Sequence, residues 1–180
     1  MELKQNHFEL FGLPVAFEVD TQQLAERYRE LQRILHPDRY ANASDRERRL
    51  SIQHAAQVNE AFQTLKSSLP RARYLLQLKG IAFDDEKETH LDPEFLMEQM
   101  ELREALADVR TESDPLAGLN RIMADIKSKQ RTMQDQLREL FAEDSEAKRF
   151  AAKQLVQKMQ FLVRLQEEAE ELEEELLTDL

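Results

Sequence analysis

Apolar residues recur along most of this chain at intervals of three and four, the repeat of one helix face, with polar residues between them. Between Thr21 and Leu35 the apolar set is Leu24, Tyr28, Leu31 and Leu35, which predicts a helix with one buried stripe and puts Arg29 and Arg33 on its far side. Asp20-Thr21-Gln22-Gln23 has capping-box spacing at the start of that run, and Asn6-His7-Phe8-Glu9 has it before a short helix that would bury Phe8 and Phe11 and stop at Gly12 and Pro14. Ser44-Asp45-Arg46-Glu47 is a third such box. It opens a helix to about Ser68 whose stripe reads Leu50, Val58, Phe62 and Leu65, with Ala55 and Ala61 as small contacts. Pro70 fits the first position of a fourth helix through Leu78, closed by Gly80.

Residues 80–91 lose the periodicity and turn acidic, which reads as a linker between a first unit, 1–79, and a second, 92–180. Asp92-Pro93 then has the N-cap and first-turn signature of a helix running to about Arg110, and Asp114-Pro115 repeats it. From Leu119 the series Leu119, Met123, Ile126, Gln130, Met133, Leu137, Leu140 alternates steps of four and three, a seam with one polar member. Asp144 or Ser145 caps a last helix to about Leu177, with Leu155, Met159, Leu162, Ala169 and Leu176 inward. Three long helices with short joints form an antiparallel bundle. The seam serves that bundle's own core, two partner helices being present in the chain, so a monomer is expected. All five prolines fall at helix boundaries and no stretch alternates like a strand, so the fold class is all-α.

Composition agrees: 180 residues contain three glycines and 34% charged side chains. The net charge of −11 divides unevenly, with +2 in residues 1–80 and −13 in 81–180. An acidic half repels phosphate backbones, so nucleic acid is not an expected partner. No apolar run approaches a membrane span and the N-terminus has no signal-peptide pattern, which makes the cytoplasm the expected compartment. With no cysteine the chain has no thiolate with which to ligate zinc or an iron–sulfur cluster.

Two stretches carry candidate chemistry. The first is His36-Pro37-Asp38. Proline disfavours helical backbone at the residue before it, so Pro37 ends the helix near Leu35 and leaves an imidazole and a carboxylate on a short loop, followed by the polar stretch Arg39–Ser44. That loop joins two long helices closely enough to make them antiparallel. The second is Phe95–Asp108. At about 100° per residue, Phe95, Leu102, Leu106 and Val109 share one face. Leu96, Met97, Met100, Glu101, Glu104 and Asp108 lie around the other. Either Leu96 and Met100 flank a wide core stripe, or three exposed apolar side chains beside three carboxylates form an interaction patch. Phe161 sits at the edge of the last helix's core stripe, and its pattern alone places it in the core.

The first eighty residues resemble a J-domain. The elements that carry the likeness are a short helix, two long antiparallel helices joined by His36-Pro37-Asp38, and a fourth helix. Tyr28-Arg29, Asn59-Glu60-Ala61-Phe62 and Arg71-Ala72-Arg73-Tyr74 stand where that pattern has them. J-domains bind DnaK-type chaperones and stimulate their ATPase. The resemblance implies that His36, Pro37 and Asp38 are the essential loop and that Arg29, Arg33 and Arg39 belong to the docking surface. Glu26 and Glu30 dilute a helix that is often more basic in that family. The acidic linker and bundle that follow, with Phe95–Glu104, resemble the HscB-type co-chaperones of iron–sulfur cluster assembly, over essentially the whole chain. That likeness implies two partners, an HscA/DnaK-type chaperone and a cluster scaffold protein of the IscU type, and assigns Leu96, Met97, Met100, Glu101, Glu104, Asp108 and Phe161 to the scaffold.

Two other readings compete. The chain is a J-protein with a different client, or it is an enzyme using His36 and Asp38, or a metal held by His7, His36, His54 and His90. The histidines are scattered without metal-site spacing, no nucleophile motif accompanies them, and no Walker-type loop is present. The expectation is an activator of a partner's ATPase, not an enzyme, with no cofactor. His54 is expected at a helix boundary and His7 and His90 in solvent.

Overall fold

The computed structural model describes residues 5–40, 43–83 and 93–178. The described residues form seven α-helices, with 3-10 turns at Pro37–Tyr40 and Val109–Thr111 and no strand. The chain divides into two compact units, Met1–Lys79 and Gly80–Leu180.

The first unit contains α1 (His7–Leu10), α2 (Thr21–Ile34), α3 (Asp45–Lys66) and α4 (Ser68–Leu78). Two of the three capping boxes read from sequence are made in full, and at Asp20 only the N-cap half forms, without a return bond from the Gln23 side chain. Asn6 and Glu9 exchange side-chain and backbone bonds, as do Ser44 and Glu47, and Asp20 accepts from the N–H groups of Gln22 and Gln23. α2 and α3 run antiparallel: Tyr28 stacks on Phe62 at 4.0 Å, while Leu35, further along α2, packs near Ala55 and Val58, earlier in α3. Gly12 and Gly80 end α1 and α4 with φ of +66° and +80°, a left-handed geometry that only glycine adopts cheaply. The core takes Phe8 and Phe11 and, beyond the helices, Leu13 and Phe17 from the connection to α2.

Three details differ from expectation. Leu50 is 39% exposed and Ser51 is buried in its place. The buried phase of α3 runs Ser51, Val58, Leu65, seven residues apart, and Ser51 meets its polar need by donating to the Arg48 carbonyl at 3.0 Å. Pro70 is the third residue of α4, not the first; its missing N–H costs nothing there, because the first turn of a helix has no intrahelical acceptor. His7 is half-buried, stacked on Tyr74 at 4.2 Å, not in solvent. His54 is at a boundary as expected.

Arg71, 6% exposed, closes the α3–α4 corner. Its Nη1 donates to the Leu65 carbonyl at 2.7 Å, one of the acceptors the end of α3 leaves unpaired. Its guanidinium lies 5.3 Å from the Phe17 ring centre. Burial lowers its pKa, and Glu18 opposes that shift.

The second unit contains α5 (Pro93–Asp108), α6 (Pro115–Ala142) and α7 (Glu146–Thr178). Asp114 caps α6 through the Ala117 N–H, and Ser145, not Asp144, accepts the Lys148 N–H at the start of α7. The expected extension of α5 to Arg110 is a 3-10 turn from Val109. The Leu119–Leu140 seam faces inward within the chain: Leu119, Ile126 and Leu137 are buried, and Leu119 and Ile126 pack with Leu162, Leu165 and Ala169. Glu98 meets Lys129 and Glu112 meets Arg121, so α5 runs antiparallel to α6. Phe95 meets Phe161 and Arg110 meets Glu175, so it runs parallel to α7. The three-helix cross-section covers this part only. α6 and α7, with 28 and 33 residues, outrun the 16 residues of α5 as a two-helix hairpin.

Residues 80–83, read from sequence as the start of the linker, belong to this unit, with the Lys153 ammonium 5.7 Å from the Phe83 ring centre. The remainder of that linker, His90 and the Asp92 cap lie outside the described residues.

Candidate functional site

The α2–α3 connection presents the first candidate. Leu35 ends α2 with its side chain buried, and the chain turns at once into Pro37–Tyr40, fixed by Arg39 N–H donating to the His36 carbonyl at 3.0 Å. The loop expected from Arg39 to Ser44 thus begins as an ordered turn. His36 and Asp38 come together as the sequence suggested. Nδ1 of His36 lies 3.3 Å from the Asp38 N–H and 3.5 Å from Asp38 Oδ2. The Asp38 N–H donates to Nδ1. The side chains are 59% and 90% exposed, so the pair adds little stability. Both groups are presented to solvent by a turn anchored at Leu35.

Arg29, Arg33 and Arg39 are exposed, and no carboxylate among the described residues pairs with them. The two acidic residues that dilute α2 are engaged elsewhere: Glu30 with Arg27 at 3.2 Å and Glu26 with Gln22 at 3.4 Å.

α5 presents the second candidate, in the other unit. Phe95, Leu106 and Val109 are buried and Leu102 is half-buried. On the other face Leu96, Met97 and Met100 are 41%, 65% and 72% exposed. Met100, read as a possible flank of a wide core stripe, is therefore largely in solvent, while Leu96 is the least exposed of the three. Glu101, Glu104 and Asp108 are exposed beside them. The helix is held from behind. Glu98 accepts from Lys129 Nζ at 2.5 Å, a bond that raises the lysine's pKa against the opposing effect of burial. Arg110 pairs with Glu175 at the far end. Phe95 meets Phe161 edge to face at 5.7 Å and carries the Lys158 ammonium 5.1 Å from its centre.

Phe161 packs at the edge of the core, as its pattern placed it. It is half-buried against the bundle core, and its ring also reaches the α5 surface, where the Arg103 guanidinium lies 5.5 Å from its centre. Arg103 was not singled out from sequence. It is seven residues from Leu96, two turns along the same edge, and that spacing was the available signal. The arrangement offers an adaptable apolar strip with a carboxylate border, suited to a protein surface carrying apolar and basic groups.

Among the described residues no cluster of three or more His, Asp and Glu is placed to hold a metal, and no helix is long and apolar enough to cross a membrane.

Comparison with known proteins agrees with both units. The family model described as the HSCB C-terminal oligomerisation domain matches residues 91–170. A co-chaperone protein HscB homolog of Shewanella halifaxensis is 43% identical, covering 95% of this chain and 98% of its own. The homolog of Vibrio cholerae is 45% identical, covering 96% and 99%. Among solved structures, chaperone HscB from Vibrio cholerae superposes with a TM-score of 0.85 at 43% identity, covering 96% of this chain and 99% of that one. Human co-chaperone protein HscB gives 0.86 at 32% identity, covering 94% and 83%. Identity of this level over nearly the whole of both chains leaves one conclusion: the chain belongs to the HscB family of J-domain co-chaperones.

Proposed function

We propose that the protein is a two-site adaptor in iron–sulfur cluster assembly. The first unit docks on the ATPase domain of an HscA/DnaK-type chaperone through His36, Pro37 and Asp38, with Arg29, Arg33 and Arg39 steering it onto an acidic surface. It stimulates hydrolysis by binding one state of the chaperone better than another. The second unit holds a cluster scaffold protein of the IscU type against Leu96, Met97, Met100, Glu101, Glu104, Asp108 and Phe161. Delivery and stimulation by one chain couple capture of the scaffold to the ATPase cycle. The cluster is cargo ligated by the scaffold, since this chain has no cysteine.

The observation that carries the reading is the pairing, in one chain, of a solvent-presented His36–Asp38 turn with an α5 face that leaves Met97 and Met100 65% and 72% exposed. The test is the steady-state ATPase rate of an HscA-type chaperone with wild type or His36→Gln, with and without the scaffold. Wild type is expected to stimulate, with the scaffold raising the effect, and His36→Gln to abolish it. Stimulation that survives His36→Gln overturns the chaperone half. Stimulation indifferent to the scaffold overturns the client half.

A further inference from the structure

Beside His36 the α2–α3 pair leaves a cleft of about 310 Å³. Its floor is the packed core of the first unit: Leu35 is 7% exposed and Val58 1%, with Ala55 contributing only a methyl group. One wall is polar but satisfied. Gln32 Nε2 donates to the Tyr28 hydroxyl at 2.6 Å, and that hydroxyl donates to Asn59 Oδ1 at 2.8 Å. These groups bond one another, so an occupant of the cleft need not supply a hydrogen bond to them. Arg33 and His36 stand at the mouth, with Arg29 one turn behind Arg33.

The apolar surface continues beyond the cleft. Ile52, Ala55 and Asn59 follow one another at i, i+3 and i+7 along a single stripe of α3. Ile52, one turn nearer the loop than Ala55, is 65% exposed. A branched aliphatic residue that far in solvent, beside an open apolar cleft and the His36 turn, has no role in the first unit's own core. The volume sits at the lower end of the ~300–1,000 Å³ range of small-molecule sites. Of its lining residues only Arg33 carries a fixed charge, and one cation does not orient a small polar ligand. A single side chain inserted into a pocket is the usual anchor of a protein interface.

We infer that this cleft receives one aliphatic side chain of the chaperone, presented from an acidic segment whose carboxylates face Arg33 and Arg29. The inference rests on the co-chaperone reading above and adds to it an apolar anchor beside the charged loop. Two arguments select the occupant. His36 lines both the proposed docking loop and the cleft, so a chaperone seated on the loop covers the cleft. The basic mouth over an apolar floor favours an aliphatic group flanked by acid over a basic or aromatic one.

The test titrates an HscA-type chaperone with wild type, Ala55→Phe, which fills the cleft, Ile52→Ser, which makes the exposed apolar position one turn along α3 polar, and His36→Gln, reading the ATPase rate. Ala55→Phe and Ile52→Ser are each expected to raise the half-maximal concentration, Ala55→Phe by tenfold or more, with helicity retained. Ile52 is a surface position, so its result decides should Ala55→Phe perturb folding. Wild-type half-saturation by the folded variants, with His36→Gln inactive, overturns the anchor and leaves the docking loop standing. Full activity of His36→Gln overturns both.

Discussion

Replacing Met97 and Met100 together by alanine tests the α5 surface where it is most separable from the fold. The side chains are 65% and 72% exposed, so the bundle loses almost none of its packing. Alanine and methionine are both good helix formers, and surface changes of this kind stay within about 0.5 kcal/mol of wild-type stability. Binding is a different matter. Burying a methionine completely is worth about 1.5–3 kcal/mol. Roughly two-thirds of each side chain remains to be buried by a partner, and alanine keeps part of that contact, so the loss is about 1 kcal/mol per position. The two residues are three apart on one face, and the plain sum of the two losses sets the scale. A combined loss of about 2 kcal/mol weakens the scaffold by roughly thirtyfold. Isothermal titration of the scaffold protein into wild type and the double variant reads this directly, with thermal melting as the control. A dissociation constant within twofold of wild type, in a variant that melts normally, refutes the assignment of the surface.

Two further predictions concern stability. Ile126→Ala, at a position with no solvent exposure between α6 and α7, is expected to cost about 2–5 kcal/mol, read by urea denaturation; a loss under about 1 kcal/mol would show that the site collapses around the cavity. His7 has its pKa lowered by burial, opposed by Glu60, so it resists charging in the folded state more than in the unfolded one, whose ordinary value is 6.5. The unfolded chain therefore takes up the proton first as pH falls through about 6.5, and His7's contribution makes the fold less stable from there downward. His7→Phe, which keeps a ring on Tyr74, is expected to flatten the fall in urea midpoint between about pH 7.5 and 5 relative to wild type, and an unchanged slope would refute it.

The parts of the fold that the sequence made legible are those set by local chemistry. Capping boxes at Asn6 and Ser44, the Asp20 N-cap, proline at Pro93 and Pro115, and glycine at Gly12 and Gly80 mark helix ends within a few residues of the signal. What the pattern missed was decided across elements. Ser51 is buried and Leu50 exposed because α3 meets its neighbours one position out of phase with the apolar count, and a serine that bonds its own helix is cheap to bury. His7 leaves solvent because Tyr74, 67 residues away, both stacks on its ring and accepts its backbone N–H. The same division runs through the functional surfaces. Periodicity placed Met97 and Met100 opposite Phe95, and only the packed bundle could show that α6 and α7 leave them exposed. Periodicity could not find the cleft between Leu35 and Val58, because a cleft is what two helices fail to fill. Ala55 was read as a small contact, and in sequence it is one. Between α2 and α3 that same small side chain leaves apolar surface open beside His36, where a chaperone docked on the loop would cover it.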